Sequence, residues 1–351
     1  TWKDGTVKPA VSDSNETEYD VVFTPTDTCN YKAVEGTVKL TVNKADPTYT
    51  APTGLAATYG QTLSDVTLPV GFTWQDAGTT SVGNVGNNDF KVTFTPEDTD
   101  NYNVVNDIPV TVAVGKATLT VTANDKGIVY GDAAANAGVK YEGFVNDETE
   151  SVLSGTLSYE YKDASDAGYT ITSPVGTYKI IPSGLSSDNY NITFVNGTLT
   201  VGSKAIDKPT AVEKTYTYDS SEQTFALSGF DENTMEVSNN KQTNPDTYTV
   251  TVTPKANYVW STDGDCTFTW VINKADVTFT APTALGVNLY CSSTEQQLVI
   301  AGSVTNGTLY YKLNDGEWGT NVPTAKTAGT YTVYYKVVGD TGYNDIKSFK
   351  E

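Results

Sequence analysis

Phe23-Thr24-Pro25-Thr26-Asp27-Thr28-Cys29-Asn30-Tyr31 is answered further along the chain by Phe94-Thr95-Pro96-Glu97-Asp98-Thr99-Asp100-Asn101-Tyr102, and Thr1-Trp2-Lys3-Asp4 by Thr73-Trp74-Gln75-Asp76. Stretches that agree in order and spacing mark an internal repeat, which decides architecture before any single element is assigned. The same marks recur. A Lys-Ala step closes a β-rich run at Lys44-Ala45, Lys116-Ala117, Lys204-Ala205 and Lys274-Ala275, with Lys-to-Lys spacings of 72, 88 and 70 residues. A tyrosine before a small or turn residue follows each step: Tyr59-Gly60, Tyr130-Gly131, Tyr218-Asp219 and Tyr290-Cys291. Late in each unit comes an aromatic strand start (Tyr19, Phe90, Tyr178, Tyr248, Tyr331), then a second tyrosine (Tyr31, Tyr102, Tyr190, Tyr258, Tyr343), which follows Asn in all but the last copy.

These marks divide the chain into five segments. Residues 1–44 match only the back half of the next unit and read as the C-terminal half of a truncated repeat; 45–116, 117–204, 205–274 and 275–351 follow. The final strand is expected to be short or truncated, and both ends are expected to be cuts through a longer array. The reading requires separate cores on the two sides of Lys116 and of Lys204.

Within each segment, short apolar–polar alternations are separated by Gly, Asn, Asp and Pro. Val250 to Thr253, Phe268 to Ile272, Tyr331 to Val338, Thr37 to Val42, Val110 to Val114 and Leu119 to Thr122 all have the period of two that half-buried strands need. Asn196-Gly197, between Phe194-Val195 and Thr198-Leu199, reads as a two-residue hairpin turn. No segment has a helical period. The expectation is all-β: tandem immunoglobulin-like β-sandwich domains in an extended rod. Strands of this length give domains roughly 35–45 Å long, and four to five in line reach on the order of 150–200 Å. Lys-Ala linkers leave little freedom between them. In Gly329-Thr330-Tyr331, Gly176-Thr177-Tyr178 and Asp246-Thr247-Tyr248 a turn residue stands two before the tyrosine. That spacing fits a tyrosine corner, whose hydroxyl ties back to upstream backbone, as well as an ordinary core tyrosine.

Residues 117–204 resemble an MBG domain of the YGX type. The residues that carry the resemblance are Ala117 to Ala123, Tyr130-Gly131-Asp132, Tyr141-Glu142-Gly143-Phe144, Gly176-Thr177-Tyr178, Asn189-Tyr190-Asn191-Ile192 and Asn196 to Val201. The flanking segments are similar to related bacterial immunoglobulin-like surface repeats, with weaker motifs and with Cys291 where other units have Gly or Asp. The resemblance implies extracellular, multi-domain bacterial surface proteins, anchored at the cell wall or secreted, and supplies no catalytic residues.

Composition narrows the chemistry. All 22 basic residues are Lys, against 42 acidic ones, for a net charge of −20. A field of that sign repels nucleic acid and anionic membranes. No apolar run is long enough for a spanning helix, so no direct membrane insertion is expected. There is no His, which removes imidazole triads and most zinc sites. With no nucleophile elbow or phosphate loop either, the chain is expected not to be an enzyme. The cysteines, Cys29, Cys266 and Cys291, form no disulfide framework. Cys266 alternates with Phe268 and Trp270 and is expected to be buried, and Cys29 to be exposed and free.

No cofactor is expected. The oxygen-rich turns Asp98-Thr99-Asp100-Asn101, Asp188-Asn189 and Asn314 to Glu317 have the chemistry for structural calcium but not EF-hand spacing, and loop Asp usually serves its own turn. Asn43-Lys44 and Asn273-Lys274 carry the residue types of a self-formed isopeptide bond, at segment edges where the required apolar burial is not expected. Trp318, Tyr310 and Trp260, with Tyr311, Tyr334 and Tyr335, are the candidate ligand-contact aromatics, since alternation turns one ring of each tyrosine pair outward. The leading expectation is a monomeric stalk or spacer segment of a surface adhesin. The alternatives are a module that binds a host glycan or host protein, and accessory repeats of a large secreted glycan-degrading enzyme.

Overall fold

The computed structural model describes residues 1–14 and 16–350, the side chains of 348–350 excepted. Among these residues the regular structure is β, interrupted only by single 3-10 turns at Val11–Asp13, Leu63–Asp65 and Glu150–Val152. Period-two patterning dictates this. In Val105–Gly115, Ile108, Val110, Val112 and Val114 are buried while the residues between them face solvent. In Ala117–Ala123 the inward set is Ala117, Leu119, Val121 and Ala123. Each buried aliphatic side chain contributes about 1.5–3 kcal/mol against exposure, so each such strand has one stable face.

The chain divides into two compact units. The first comprises Thr1–Ile128, Ala133–Ile171 and Gly176–Val201. It opens with a two-stranded ribbon, Glu18–Phe23 antiparallel to Val34–Lys39, whose one buried side chain among the described residues is Tyr19. A four-stranded sheet follows, in the order Leu55–Thr58, Val105–Gly115, Gly86–Phe94, Phe72–Trp74. Next come the two sheets of a sandwich. One runs Ser154–Lys162, Gly176–Ser186, Gly197–Gly202, Lys126–Val129, and the other Tyr190–Val195, Ala117–Ala123, Val139–Glu142. Strand Gly176–Ser186 of the first packs on Ala117–Ala123 and Tyr190–Val195 of the second.

The second unit comprises Val129–Asp132, Thr172–Val175 and Gly202–Glu351. One core gathers Tyr216, Phe225, Met235, Val250, Val252, Cys266, Trp270 and Ile272 around the sheet Tyr216–Thr217, Cys266–Asn273, Thr247–Pro254, Met235–Ser238. Another gathers Val299, Leu309, Tyr311, Val333, Tyr335 and Val337 around Gly307–Leu313, Val333–Gly339 and Ile346–Lys350. The last strand is thus present and short. Cys266 is buried, and Cys29 and Cys291 are exposed thiols.

Two expectations need correction. Asn196-Gly197 is not a hairpin turn: the strand before it pairs with Ala117–Ala123 and the strand after it with Gly176–Ser186, so the chain changes sheets there. Gly197 stands where a Cβ would lie 2.5 Å from the Ala123 carbonyl oxygen; close backbone approach, not a left-handed turn, selects glycine. The cores on either side of Lys116 are also in contact, although each segment keeps its own sheets. Leu55, Val112 and Val114 share one apolar cluster with Ala117, Leu119, Val121 and Tyr190.

The tyrosine corner forms at Tyr248 and Tyr331. Tyr248 Oη donates to Asn244 O at 2.7 Å and Tyr331 Oη to Thr327 O at 2.9 Å, each four residues upstream. The third tyrosine of that series, Tyr178, is buried in the core.

Candidate functional site

The Lys-Ala step and the Asn-Tyr pair lie far apart in each segment, yet they meet. Ala45 forms a parallel bridge with Tyr102, and Ala275 with Tyr343. Ala117 pairs with Tyr190 and Lys204 with Tyr258, again in parallel. Around the first and last of these the side chains repeat too: Asn103 Nδ2 donates to Asp46 Oδ1 and Asn344 Nδ2 to Asp276 Oδ1, both at 2.9 Å. The two motifs are the two halves of one closure, which presents the second tyrosine at one end of the segment.

The tyrosine of the Tyr-Gly step has the complementary place. Its N–H donates to the end of its own segment's last strand: Tyr59 to Gly115 O, Tyr130 to Gly202 O and Tyr218 to Asn273 O, at 2.8–2.9 Å. Its ring then meets the second tyrosine of the segment that follows. In the first unit Tyr59 packs edge-on against Tyr190, centroids 5.5 Å apart and planes at 82°. In the second unit Tyr130 meets Tyr258 at 5.5 Å and 77°, and Tyr218 meets Tyr343 at 5.5 Å and 89°. An edge-to-face pair at this distance contributes about 0.5–1.5 kcal/mol beyond area burial and has an angular preference that resists twisting.

Polar contacts support the rings unequally. The Asn before Tyr190 accepts from Val85 N–H at 3.1 Å, and the Asn before Tyr258 from Val175 N–H at 2.9 Å. In both donors the residue after the valine is the glycine that begins the aromatic strand, Gly86 or Gly176. At the third pair both partners are gone together: Pro245, which has no N–H, stands at the valine position, and Gly342 at the Asn position. Gly342 has φ +99°, and a Cβ there would lie 2.3 Å from Tyr218 Cε1. The Tyr59–Tyr190 pair has a further element. Glu148 accepts from Tyr59 Oη at 2.6 Å and, through its other oxygen, from Tyr190 Oη. Burial, then the bond to Glu148, pushes the Tyr190 phenol up to about 12. Gly60, at φ +93°, leaves the space that Val145 fills; a Cβ would sit 2.6 Å from Val145 Cγ2.

The candidate ligand aromatics separate. Tyr310 and Trp318 come together on the solvent side of the Gly307–Leu313 and Val333–Gly339 pair, where Tyr310 faces Lys336 and Lys312 faces Tyr334 across the strands. Lys336 Nζ lies 4.7 Å from the Trp318 centroid and 5.8 Å from that of Tyr310; Lys312 Nζ lies 4.9 Å from Tyr334 and 5.5 Å from Trp318. Tyr311 and Tyr335 are the inward rings of the two pairs. Trp260 lies elsewhere: it packs against the core built around Trp270.

The acidic turns bond to themselves. Asp98 Oδ1 accepts from the N–H groups of Asp100 and Asn101, and Oδ2 from Asn101 Nδ2; Asp27 does the same with Cys29 and Asn30. Bonds from the Asn side chain, first, and from backbone N–H groups hold both carboxyls below the usual range. Among the described residues no three His, Cys, Asp or Glu side chains converge as a metal site. Lys44 Nζ donates to Thr99 O, and Asn273 Nδ2 to Tyr216 O.

The sequence contained every residue of the tyrosine pairs but not their pairing, because partners lie in different segments more than a hundred residues apart. The recurrence of a tyrosine before a turn residue and of a second, later tyrosine was the available signal.

No curated protein matches the chain significantly. Among solved structures, protocadherin gamma B7 extracellular cadherin domains 1–4 align over 76% of this chain and 82% of that one, at 12% identity and a TM-score of 0.28. Sidekick-1 immunoglobulin domains 1–5 align over 88% and 77%, at 12% identity and a TM-score of 0.20. Drosophila N-cadherin EC1-4 aligns over 86% and 98%, at 11% identity and a TM-score of 0.20. The chain is all-β, built of tandem immunoglobulin-like sandwiches, and its residues 119–200 match the family model of the MBG domain (YGX type).

Proposed function

We propose that this chain is a spacer segment of an extracellular, adhesin-like bacterial surface protein, holding a functional domain away from the cell, and that it has no catalytic role of its own. The observation that supports this reading is the tyrosine pair, repeated three times with the same 5.5 Å centroid separation on different polar surroundings. A segment selected to bind or to react varies its loops around one preserved site; here the preserved feature couples one segment to the next. The test is small-angle scattering of the chain in solution. A spacer gives a maximum dimension on the order of 150 Å, reduced when Tyr59 and Tyr130 are both replaced by Ala. A compact particle, or a dimension indifferent to that double change, contradicts the reading.

A second reading, recognition of a host glycan, is favoured by one observation: the Tyr310, Trp318, Tyr334 face interleaved with Lys312 and Lys336. Aromatic faces stack on sugar rings, and two ammonium groups in a chain of net charge −20 supply a local attraction for acidic sugars. Binding on a glycan array that Trp318→Ala abolishes supports it; an array without a saturable hit removes it.

A further inference from the structure

Tyr290-Cys291 occupies the place in its segment that Tyr59-Gly60, Tyr130-Gly131 and Tyr218-Asp219 occupy in theirs. Those three tyrosines each pack on a second tyrosine, and Tyr59 keeps only 8% of its surface exposed. Tyr290 is 78% exposed beside exposed Val287 and Leu289, and no ring packs on it among the described residues. It lines a groove of about 550 Å³ together with Cys291, Ala328 and Gly329. Ala328-Gly329-Thr330-Tyr331 is the counterpart of Val175-Gly176-Thr177-Tyr178, whose Val175 N–H meets the Asn of Asn257-Tyr258. The groove therefore brings together the same two elements, a Tyr-X step and the backbone N–H before a Gly-Thr-Tyr strand, that grip an Asn-Tyr loop elsewhere in the molecule. Among the described residues the Ala328 N–H has no acceptor.

The complementary half is exposed as well. Asn101-Tyr102 is an Asn-Tyr loop closed by the Ala45–Tyr102 bridge, the same closure that presents Tyr190 and Tyr343. Tyr102 is 40% exposed and no ring packs on it among the described residues.

We propose that the Tyr290 groove is an open junction half, and that its occupant is the Asn101-Tyr102 loop of a second copy of this chain. In the resulting contact Tyr102 packs edge-on against Tyr290, and Asn101 Oδ1 accepts from the Ala328 N–H. The two surfaces differ, so the contact is heterologous and adds copies head to tail instead of closing a symmetric dimer. One aromatic pair with one backbone hydrogen bond is a small interface, which places its Kd on the order of 0.1–1 mM between free copies.

Sedimentation velocity of the full chain, with Cys291 kept reduced, from micromolar to about 1 mM protein tests this. The expected result is a weight-average sedimentation coefficient that rises with concentration. Tyr290→Ala and Tyr102→Ala should each weaken that association by at least about tenfold. An equimolar mixture of the two variants should recover dimers but nothing longer, because only one intact pair of surfaces remains. Tyr31→Ala, in the other exposed Asn-Tyr loop, should associate like the parent. Concentration-independent sedimentation of the parent overturns the proposal, as does association that survives both single variants, a mixture that recovers nothing, or loss through Tyr31 instead of Tyr102. Far-ultraviolet circular dichroism of each variant separates lost contact from lost fold.

Discussion

The Tyr59–Tyr190 and Tyr218–Tyr343 pairs have the same centroid separation and nearly the same angle, but the polar side chains around them differ. The first is buried, shares Glu148 between its two hydroxyls, and has an Asn that accepts from Val85. The second has neither carboxylate nor Asn, and Gly342 and Pro245 stand where the hydrogen-bonding pair would be. The rings are therefore the constant of the junction, and the polar groups adapt to it. Apolar contact tolerates changes of neighbour, whereas a hydrogen bond must lose donor and acceptor together or leave one of them unpaired.

The sharpest way to break this comparison is to remove a ring from each pair. Tyr190 is 2% exposed, and Tyr190→Ala should cost about 3–5 kcal/mol in urea unfolding. Tyr343→Ala, at a half-buried ring without the carboxylate, should cost about 1–2 kcal/mol. Equal costs would mean that the polar surroundings add nothing. Next, Glu148→Gln should cost about 1.5–3 kcal/mol, since a charged acceptor of two phenol hydrogens becomes a neutral one. Asn189→Ala strands the Val85 N–H and should cost about 1–2 kcal/mol. Asn257→Ala should match it through Val175.

Alkaline titration sharpens the comparison from another side. Tyr190 ionises at about 12 in the folded protein, against 10.0 for an unperturbed tyrosine. Its contribution is intact below pH 10 and is lost as pH rises from 10 through about 12, because the unfolded chain releases the proton first. Tyr190→Phe should flatten that part of the pH–stability curve. The smallest effect is expected away from the junctions. Trp270 Nε1 is buried without an acceptor among the described residues, so in Trp270→Phe the loss of an unpaired donor offsets part of the lost packing. Chelation of divalent cations should leave the melting temperature unchanged, because Asp27 and Asp98 already serve their own turns.

Strand content, the buried Cys266 and the free Cys29 were all legible in the residues, because alternation and turn chemistry are local. The corner hydroxyls of Tyr248 and Tyr331 followed from spacing, since their acceptors lie only four residues away. Asn196-Gly197 misled for the same reason. Locally it has the composition of a hairpin, and only the pairing of its flanking strands with different partners shows a change of sheet. Trp260 was grouped with Trp318 and Tyr310 on aromatic character, whereas its packing against the Trp270 core depends on strands that no local window contains.

The sequence by itself determined that the chain repeats, that its repeats are β, and that a tyrosine before a turn residue and a second, later tyrosine recur along it, because periodicity and turn preference act between neighbours along the chain. Only the tertiary structure decided that the two marks belong to each other across successive segments. A ring pair formed between residues more than a hundred positions apart has no local energetic signature, and exists only once both segments have folded and closed their ends.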